Sequence, residues 1–146
     1  ELAPVIHNYM LSDYQPVDTV PDDLIHTLKT LKSQGYVLGV MSNRDKPFSD
    51  YLSELHLAEF FTTTICAGEA GIDKPNPGVF HYMLDKAGVS AGDSLYLGDN
   101  YYADIVGARN AGLTPVLLDV DGIFEDADCE VIQSHSQVLT LLNNLA

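Results

Sequence analysis

The sequence predicts an α/β fold in three layers, a mostly parallel sheet with helices on both faces. Short apolar runs alternate with amphipathic stretches along almost the whole chain, which is the pattern of strand and crossover helix repeated. Several of the apolar runs end in polar residues, "VMSN" and "YLGDN" among them, and in open parallel sheets ligands bind beyond the carboxyl ends of the strands. With 146 residues the chain is about one domain long, enough to bury roughly 68–70% of its unfolded surface in a single core.

The elements follow in order. "PDDLIHTLKTLKSQG" reads as a helix, with Pro21 in the first turn and Asp22 and Asp23 at the positive end of the dipole. Leu24, Leu28 and Leu31 form its apolar face and Gly35 stops it. "YVLGVMSN" is a strand, "KPFSDYLSELHL" a helix and "TTTICAG" a β-branched strand. "NPGVFHYMLDKAG" is a helix with Asn76 as N-cap, Pro77 at its first position and Gly88 as its stop. "SLYLGDN" is the next strand, and "YYADIVGARNAG" a helix whose Ala103, Gly107, Ala108 and Ala111 permit close packing on a sheet. "PVLLDV", "EVIQS" and the helix "SHSQVLTLLNNL" complete the chain.

Seven Lys and Arg against 21 Asp and Glu give a formal charge of −14, which repels nucleic-acid phosphates and anionic membrane surfaces. Neither is an expected partner, and no apolar run reaches transmembrane length. An acidic protein that handles an anionic substrate needs a metal cation or a few well-placed lysines at the site itself. Cys66 and Cys129 are in no metal-ligand or redox spacing, which fits a reducing cytoplasm, and the opening "ELAPVIHNYM" lacks the regions of a signal peptide.

Candidate chemistry sits at three loops: Ser42 and Asn43 after one strand, Lys74 before the Asn76 cap, and Asp99 with Asp104 around another strand. A hydroxyl and amides donate to phosphate oxygens, a lysine adds a compact positive charge, and a carboxylate offers hard oxygen to Mg²⁺. Each piece has a plain structural reading as well. Ser42 and Asn43 suit an ordinary turn, Lys74 beside Asp73 a solvated pair, and Asp104 the first turn of a helix. A site is favoured because the sheet topology brings all of them to one edge.

On these residues the chain resembles the haloacid dehalogenase-like (HAD) hydrolases, most of which are Mg²⁺-dependent phosphatases. "LGVMSN" is similar to the family's second motif, "GEAGIDKPNPGVF" to the third and "YLGDNYYADIVGARNAG" to the fourth. The resemblance implies a Rossmann-like core. It also implies that Ser42 binds the transferring phosphoryl group with Asn43 beside it, that Lys74 stabilises nucleophile and phosphate, that Asp99 holds Mg²⁺ and that Asp104 supports the metal's surroundings. The substrate class it implies is a small phosphorylated metabolite, by default phosphoglycolate-like or a sugar phosphate.

The family's first motif, a strand ending in Asp-x-Asp-Gly-Thr, has no counterpart before Ser42. The chain is therefore expected to lack the first strand of its sheet, and with it the nucleophile that forms an aspartyl-phosphate. "LLDVDGIF" contains the chain's only Asp-x-Asp-Gly but follows the fourth motif, so Asp119 and Asp121 are read as residues of a solvated turn after a strand. Residues 1–18 are expected to be the end of a cap domain and its return linker, with His7, Tyr9 and Tyr14 as packing or surface residues, and 19–146 an incomplete core. From this follow two expectations: these residues alone are inactive, and the exposed sheet edge favours self-association. The competing readings are a metal-independent haloacid dehalogenase, a non-catalytic phosphate-binding or regulatory module of the same fold and, more weakly, a receiver of the response-regulator kind.

Overall fold

The computed structural model describes residues 19–145, so the expectations for the cap remnant and for His7, Tyr9 and Tyr14 lie outside the described residues. Helix α1 spans Leu24–Ser33 and buries Thr27, Leu28 and Leu31. Asp23 stands at its start, and its carboxylate accepts the backbone N–H of Ser136 at 2.8 Å and faces His135 Nδ1 at 3.5 Å. The Ser136 N–H and the nearby His135 ring hold that carboxyl below its ordinary pKa.

Strand β1 (Gly39–Ser42) leads to helix α2 (Ser49–Glu54), a 3₁₀ turn at Ala58–Phe60, strand β2 (Thr63–Cys66) and the single turn α3 (Ala67–Ala70). Helix α4 (Pro77–Ala87) is built as its sequence implies. The Asn76 side chain accepts the Gly78 N–H at 2.9 Å, Pro77 opens the helix, and Gly88 closes it at φ +70°, a conformation glycine adopts without steric cost. A 3₁₀ turn at Ala91–Asp93 precedes strand β3 (Leu95–Gly98). The expected helix over "YYADIVGARNAG" is a π-type turn at Tyr101–Val106 followed by helix α5 (Gly107–Asn110). Strands β4 (Thr114–Leu118) and β5 (Glu130–Ile132) and helix α6 (Gln137–Leu145) follow.

All the strand pairs are parallel: β1 with β2, β3 with β4, and β4 with β5. They form two sheets, β1-β2 and β3-β4-β5, with no ladder between β1 and β3 among the described residues.

Helices hold the halves together across the break. One apolar cluster joins Met41 of β1 and Ile65 of β2 to Phe80 and Leu84 of α4 and to Ala108 and Leu113, beside β4. A second joins Leu31 of α1 and Leu38 to Val116, Ile132 and Val138. No helix among the described residues is long and apolar enough to cross a membrane, and both cysteines are free thiols.

The turn after β4 departs from expectation at one residue. Asp121 is exposed as expected, but Asp119 is buried, with a relative exposure of 6%. Its two carboxylate oxygens accept the backbone N–H groups of Ile123 at 2.9 Å and Phe124 at 2.8 Å. These bonds fold the chain back over the carboxylate and hold its pKa below the usual value. Asp119 is thus an internal brace, with both oxygens engaged by its own loop.

Because its folded pKa is depressed, the stability this brace contributes is present above the unfolded value of about 3.9 and fades as pH falls through the folded one. Asp119→Ala is expected to melt below the parent protein at pH 7, with the gap narrowing by pH 3. Thermal melts at the two pH values check this, and a gap that stays constant contradicts it.

Candidate active site

The tips of β1 and β3 meet at Lys74. From the β1 side, the Asn43 amide binds the backbone of Lys74 twice, Nδ2 donating to the carbonyl at 2.9 Å and Oδ1 accepting the N–H at 2.8 Å. A side-chain amide can replace a backbone turn in this way because it carries both a donor and an acceptor. This places the lysine's segment against the strand that ends in Ser42, even though 31 positions separate the two residues. The Lys74–Pro75 peptide bond in this segment is cis.

From the β3 side, Lys74 Nζ donates to Asp104 Oδ1 at 2.6 Å and to the Tyr96 hydroxyl at 3.1 Å. The side chains of Lys74 and Asp104 are 11% and 4% exposed, so the pair is largely withdrawn from water. The alternative of a surface pair between Lys74 and Asp73 is not what forms, because the lysine turns inward to Asp104. The other oxygen of Asp104 accepts the Asn100 N–H at 3.0 Å, while the Asn100 side chain caps the following turn through the Ala103 N–H at 2.8 Å. Gly98 makes room for this: a Cβ there would stand 2.3 Å from Asp104 Cγ, far inside van der Waals contact.

Tyr96 is the site residue that sequence reasoning missed. Its ring packs edge-on against Phe80 with centroids 4.9 Å apart, and Lys74 Nζ lies 5.6 Å from its centroid. Burial, then the neighbouring charges of Asp104 and Asp99, push its hydroxyl above its ordinary pKa, so it stays neutral and accepts from the lysine. The available signal was its place two residues before Gly98 in an apolar strand.

Asn43, Lys74 and Asp104 therefore form one hydrogen-bonded chain that spans the two sheets. Ser42 is half-buried at the end of β1, and Asp99 is exposed directly after β3. Among the described residues, no three His, Cys, Asp or Glu side chains gather as a metal-binding group. Asp99 has the hard oxygen that Mg²⁺ takes, and Mg²⁺ is commonly held by one or two carboxylates with water and phosphate oxygens completing the shell. It fits as one arm of such a set; Asp104, already engaged by Lys74 and Asn100, is not a second free arm.

A second polar cluster flanks this site. Arg109 makes a two-pronged contact with Asp128, at 3.0 and 2.8 Å, and the Tyr101 hydroxyl donates to the same carboxylate. Tyr101 also stacks on Phe124 at 5.7 Å, which ties the loop after β4 to the turn after β3. The pair is exposed and screened by solvent, so it contributes little to stability.

The chain is similar to known proteins in both sequence and fold. The sequence pattern of the haloacid dehalogenase-like hydrolases matches residues 5–118. A glyceraldehyde 3-phosphate phosphatase of Methanothermobacter thermautotrophicus is 30% identical over 122 residues, 82% of this chain and 53% of that protein. A haloacid dehalogenase-like hydrolase domain-containing protein 3 of Bos taurus is 35% identical over 92 residues, 63% of this chain and 37% of that protein. The chain spans about half the length of the first of these and less of the second. In three dimensions it is similar to a HAD phosphatase from Thermococcus onnurineus, with a TM-score of 0.80 at 28% identity, covering 85% of this chain and 58% of the other. It is similar as well to a 2-haloacid dehalogenase from Pseudomonas syringae pv. Tomato, with a TM-score of 0.78 at 30% identity over 88% of this chain and 55% of that one. Since the sequence match runs through the strand tips that carry Ser42, Asn43, Lys74, Asp99 and Asp104, and the parallel architecture matches too, the chain belongs to the haloacid dehalogenase-like hydrolases.

Proposed function

We propose that these residues form the binding half of a Mg²⁺-dependent phosphomonoesterase acting on a small phosphorylated metabolite in the cytoplasm. The observation that carries the reading is the Asn43–Lys74–Asp104 chain, which fixes an ammonium group where the tips of β1 and β3 converge. In a protein of net charge −14 that ammonium is a scarce resource for drawing a phosphate dianion to the site. Ser42 and nearby amides donate to the phosphoryl oxygens, Lys74 offsets their charge, and Asp104 with Tyr96 holds the lysine in place. Mg²⁺, when bound at Asp99, supplies a further positive charge beside the phosphate.

The attacking carboxylate comes from a strand seated between β1 and β3. Its oxygen forms a bond to phosphorus as the bond to the alcohol breaks; the second aspartate of that strand gives the leaving alcohol its proton and then takes one from the water that hydrolyses the aspartyl-phosphate, which releases inorganic phosphate. A dehalogenase is the second reading, supported by the likeness to the Pseudomonas syringae enzyme. The exposed Asp99, suited to a cation that dehalogenation does not need, places it behind.

Phosphate release from para-nitrophenyl phosphate and a panel of sugar and glycolate phosphates tests the reading, each with Mg²⁺ or with EDTA. These residues alone are expected to release none. The same residues joined to an Asp-x-Asp strand are expected to release phosphate with Mg²⁺ only, with Asp99→Asn and Lys74→Ala each lowering the rate by 100-fold or more. Chloride release from 2-chloropropionate without phosphate release would overturn it.

A further inference from the structure

The loop after β1 holds a cation that the site described above does not use. Arg44 lies two positions past Ser42, so the two Cα atoms are at most about 7 Å apart. Asn43, the residue between them, is the one whose amide grips the Lys74 backbone. The loop is braced from another side as well. The Arg44 carbonyl accepts the Gly68 N–H at 3.2 Å, and a Cβ on Gly68 would stand 1.7 Å from the Asp45 carbonyl oxygen, so the backbone of α3 rests directly on the loop.

The Arg44 side chain is held too. Its Cζ lies 4.8 Å from the centre of the Tyr51 ring on α2 and 5.8 Å from that of Phe48, just before the helix. Phe48 is buried in the cluster with Leu28, Leu52 and Phe60, so part of this stacking surface is fixed by the core beneath it. A guanidinium that lies over a ring through its flat face keeps the N–H groups of its rim available, and these form the planar fork that matches a carboxylate or a phosphate. Arg44 is exposed and forms no ion pair among the described residues, although Asp45 adjoins it; the pairs are Lys74 with Asp104, Arg109 with Asp128 and His135 with Asp23. Charge points the same way, since three of the chain's seven Lys and Arg, namely Arg44, Lys46 and Lys74, belong to the two loops that Asn43 joins.

We propose that Arg44 is a specificity-determining residue of this site, which receives a second anionic group of the substrate, a carboxylate or a second phosphate. The inference rests on the function proposed above for the phosphoryl group at Ser42 and Lys74, and adds to it the class of substrate: a small phosphomonoester with an anion at its other end. The two cations differ as the two tasks require. Lys74 is withdrawn from water and fixed by Asp104, a point charge for the reacting group. Arg44 stands at the rim with its face on aromatic rings and its fork turned to solvent, where the non-reacting end of a bound substrate emerges. Because the rings and Gly68 already hold the residue, little of its freedom remains to be lost when the anion binds.

Calorimetric titration of this chain with Mg²⁺ present compares two matched pairs of probes: phosphoglycolate against 2-hydroxyethyl phosphate, and fructose 1,6-bisphosphate against fructose 6-phosphate. In one pair the member with the second anion is expected to bind about tenfold tighter, the effect of one charge-assisted contact, and the pair that shows it tells carboxylate from phosphate. Arg44→Gln is expected to abolish that preference. Lys29→Gln, which removes the same charge from an exposed position on α1, is expected to keep it. The chain has two arginines, so the Arg44 Nε–H resonance can be followed by NMR, and it is expected to shift with the preferred probe and not with its partner.

Equal binding within both pairs, a preference that survives Arg44→Gln, or the same loss in Lys29→Gln would each overturn the assignment while leaving the phosphate site standing. No binding of any phosphate probe would overturn it together with the phosphatase reading. Binding of 2-chloropropionate as tight as that of phosphoglycolate, lost in Arg44→Gln, would sink the phosphatase reading alone and keep Arg44 as the group that receives the carboxylate.

Discussion

Asp104→Ala is expected to cost about 3–5 kcal/mol of folding stability, a large part of what a domain of this size has, because it leaves the Lys74 ammonium inside without its partner. The lysine cannot easily escape: its side chain is 11% exposed, and its backbone is held by Asn43 from the other sheet. The same substitution strands the Asn100 N–H, which bonds to the second carboxylate oxygen. In a chain of this length about 1 kcal/mol moves the melting point by roughly 2–4 °C, so the variant should melt on the order of 10 °C lower. Urea titration is the direct check.

Lys74→Met combined with Asp104→Leu should recover most of that loss, since removing both charges removes the desolvation cost together with the attraction. A single variant within about 1 kcal/mol of the parent would mean that the pair behaves as a solvated one. The double variant separates stability from function, because it should fold yet have no ammonium to offer a phosphate.

Phe80→Ala is expected to cost about 3–5 kcal/mol as well, the usual range for emptying a buried aromatic position. Phe80 is 1% exposed and fills the space between Tyr96 and α5, where a Cβ on Gly107 would stand 2.7 Å from its ring. Its removal opens a cavity beneath Tyr96, the residue whose hydroxyl accepts from Lys74. Phe80→Leu should lose much less, since it keeps most of the volume. Equal losses for the two variants would show that the ring is not packed as described.

Much of the fold was legible in the residues. Helix α4 was readable to its last turn because its signals are local: Asn76, Pro77 and Gly88 act on backbone groups within a few positions of themselves. The apolar strands and their parallel pairing were legible for a similar reason, since a strand covered on both faces must be apolar at every position. The strand tips could also be read as one edge, because parallel topology sends every carboxyl end the same way.

Other features had no local signature. Lys74 chooses Asp104 over adjacent Asp73 because that carboxylate is buried and held by the Asn100 N–H, with the Tyr96 hydroxyl beside it as a second acceptor for the lysine. Asp23 reaches Ser136 across 113 positions, a contact that no window of sequence contains.

The amino-acid order by itself determined the class of fold, the limits of its best-capped helix and the kinds of groups that stand at the strand ends, since those depend on neighbours along the chain and on the periodicity of apolar residues. Only the folded structure decided that Asp119 is a buried brace and that Tyr96 and Asp104 hold the lysine. Burial and pairing between distant segments set these outcomes, and they come into being only when the chain has packed.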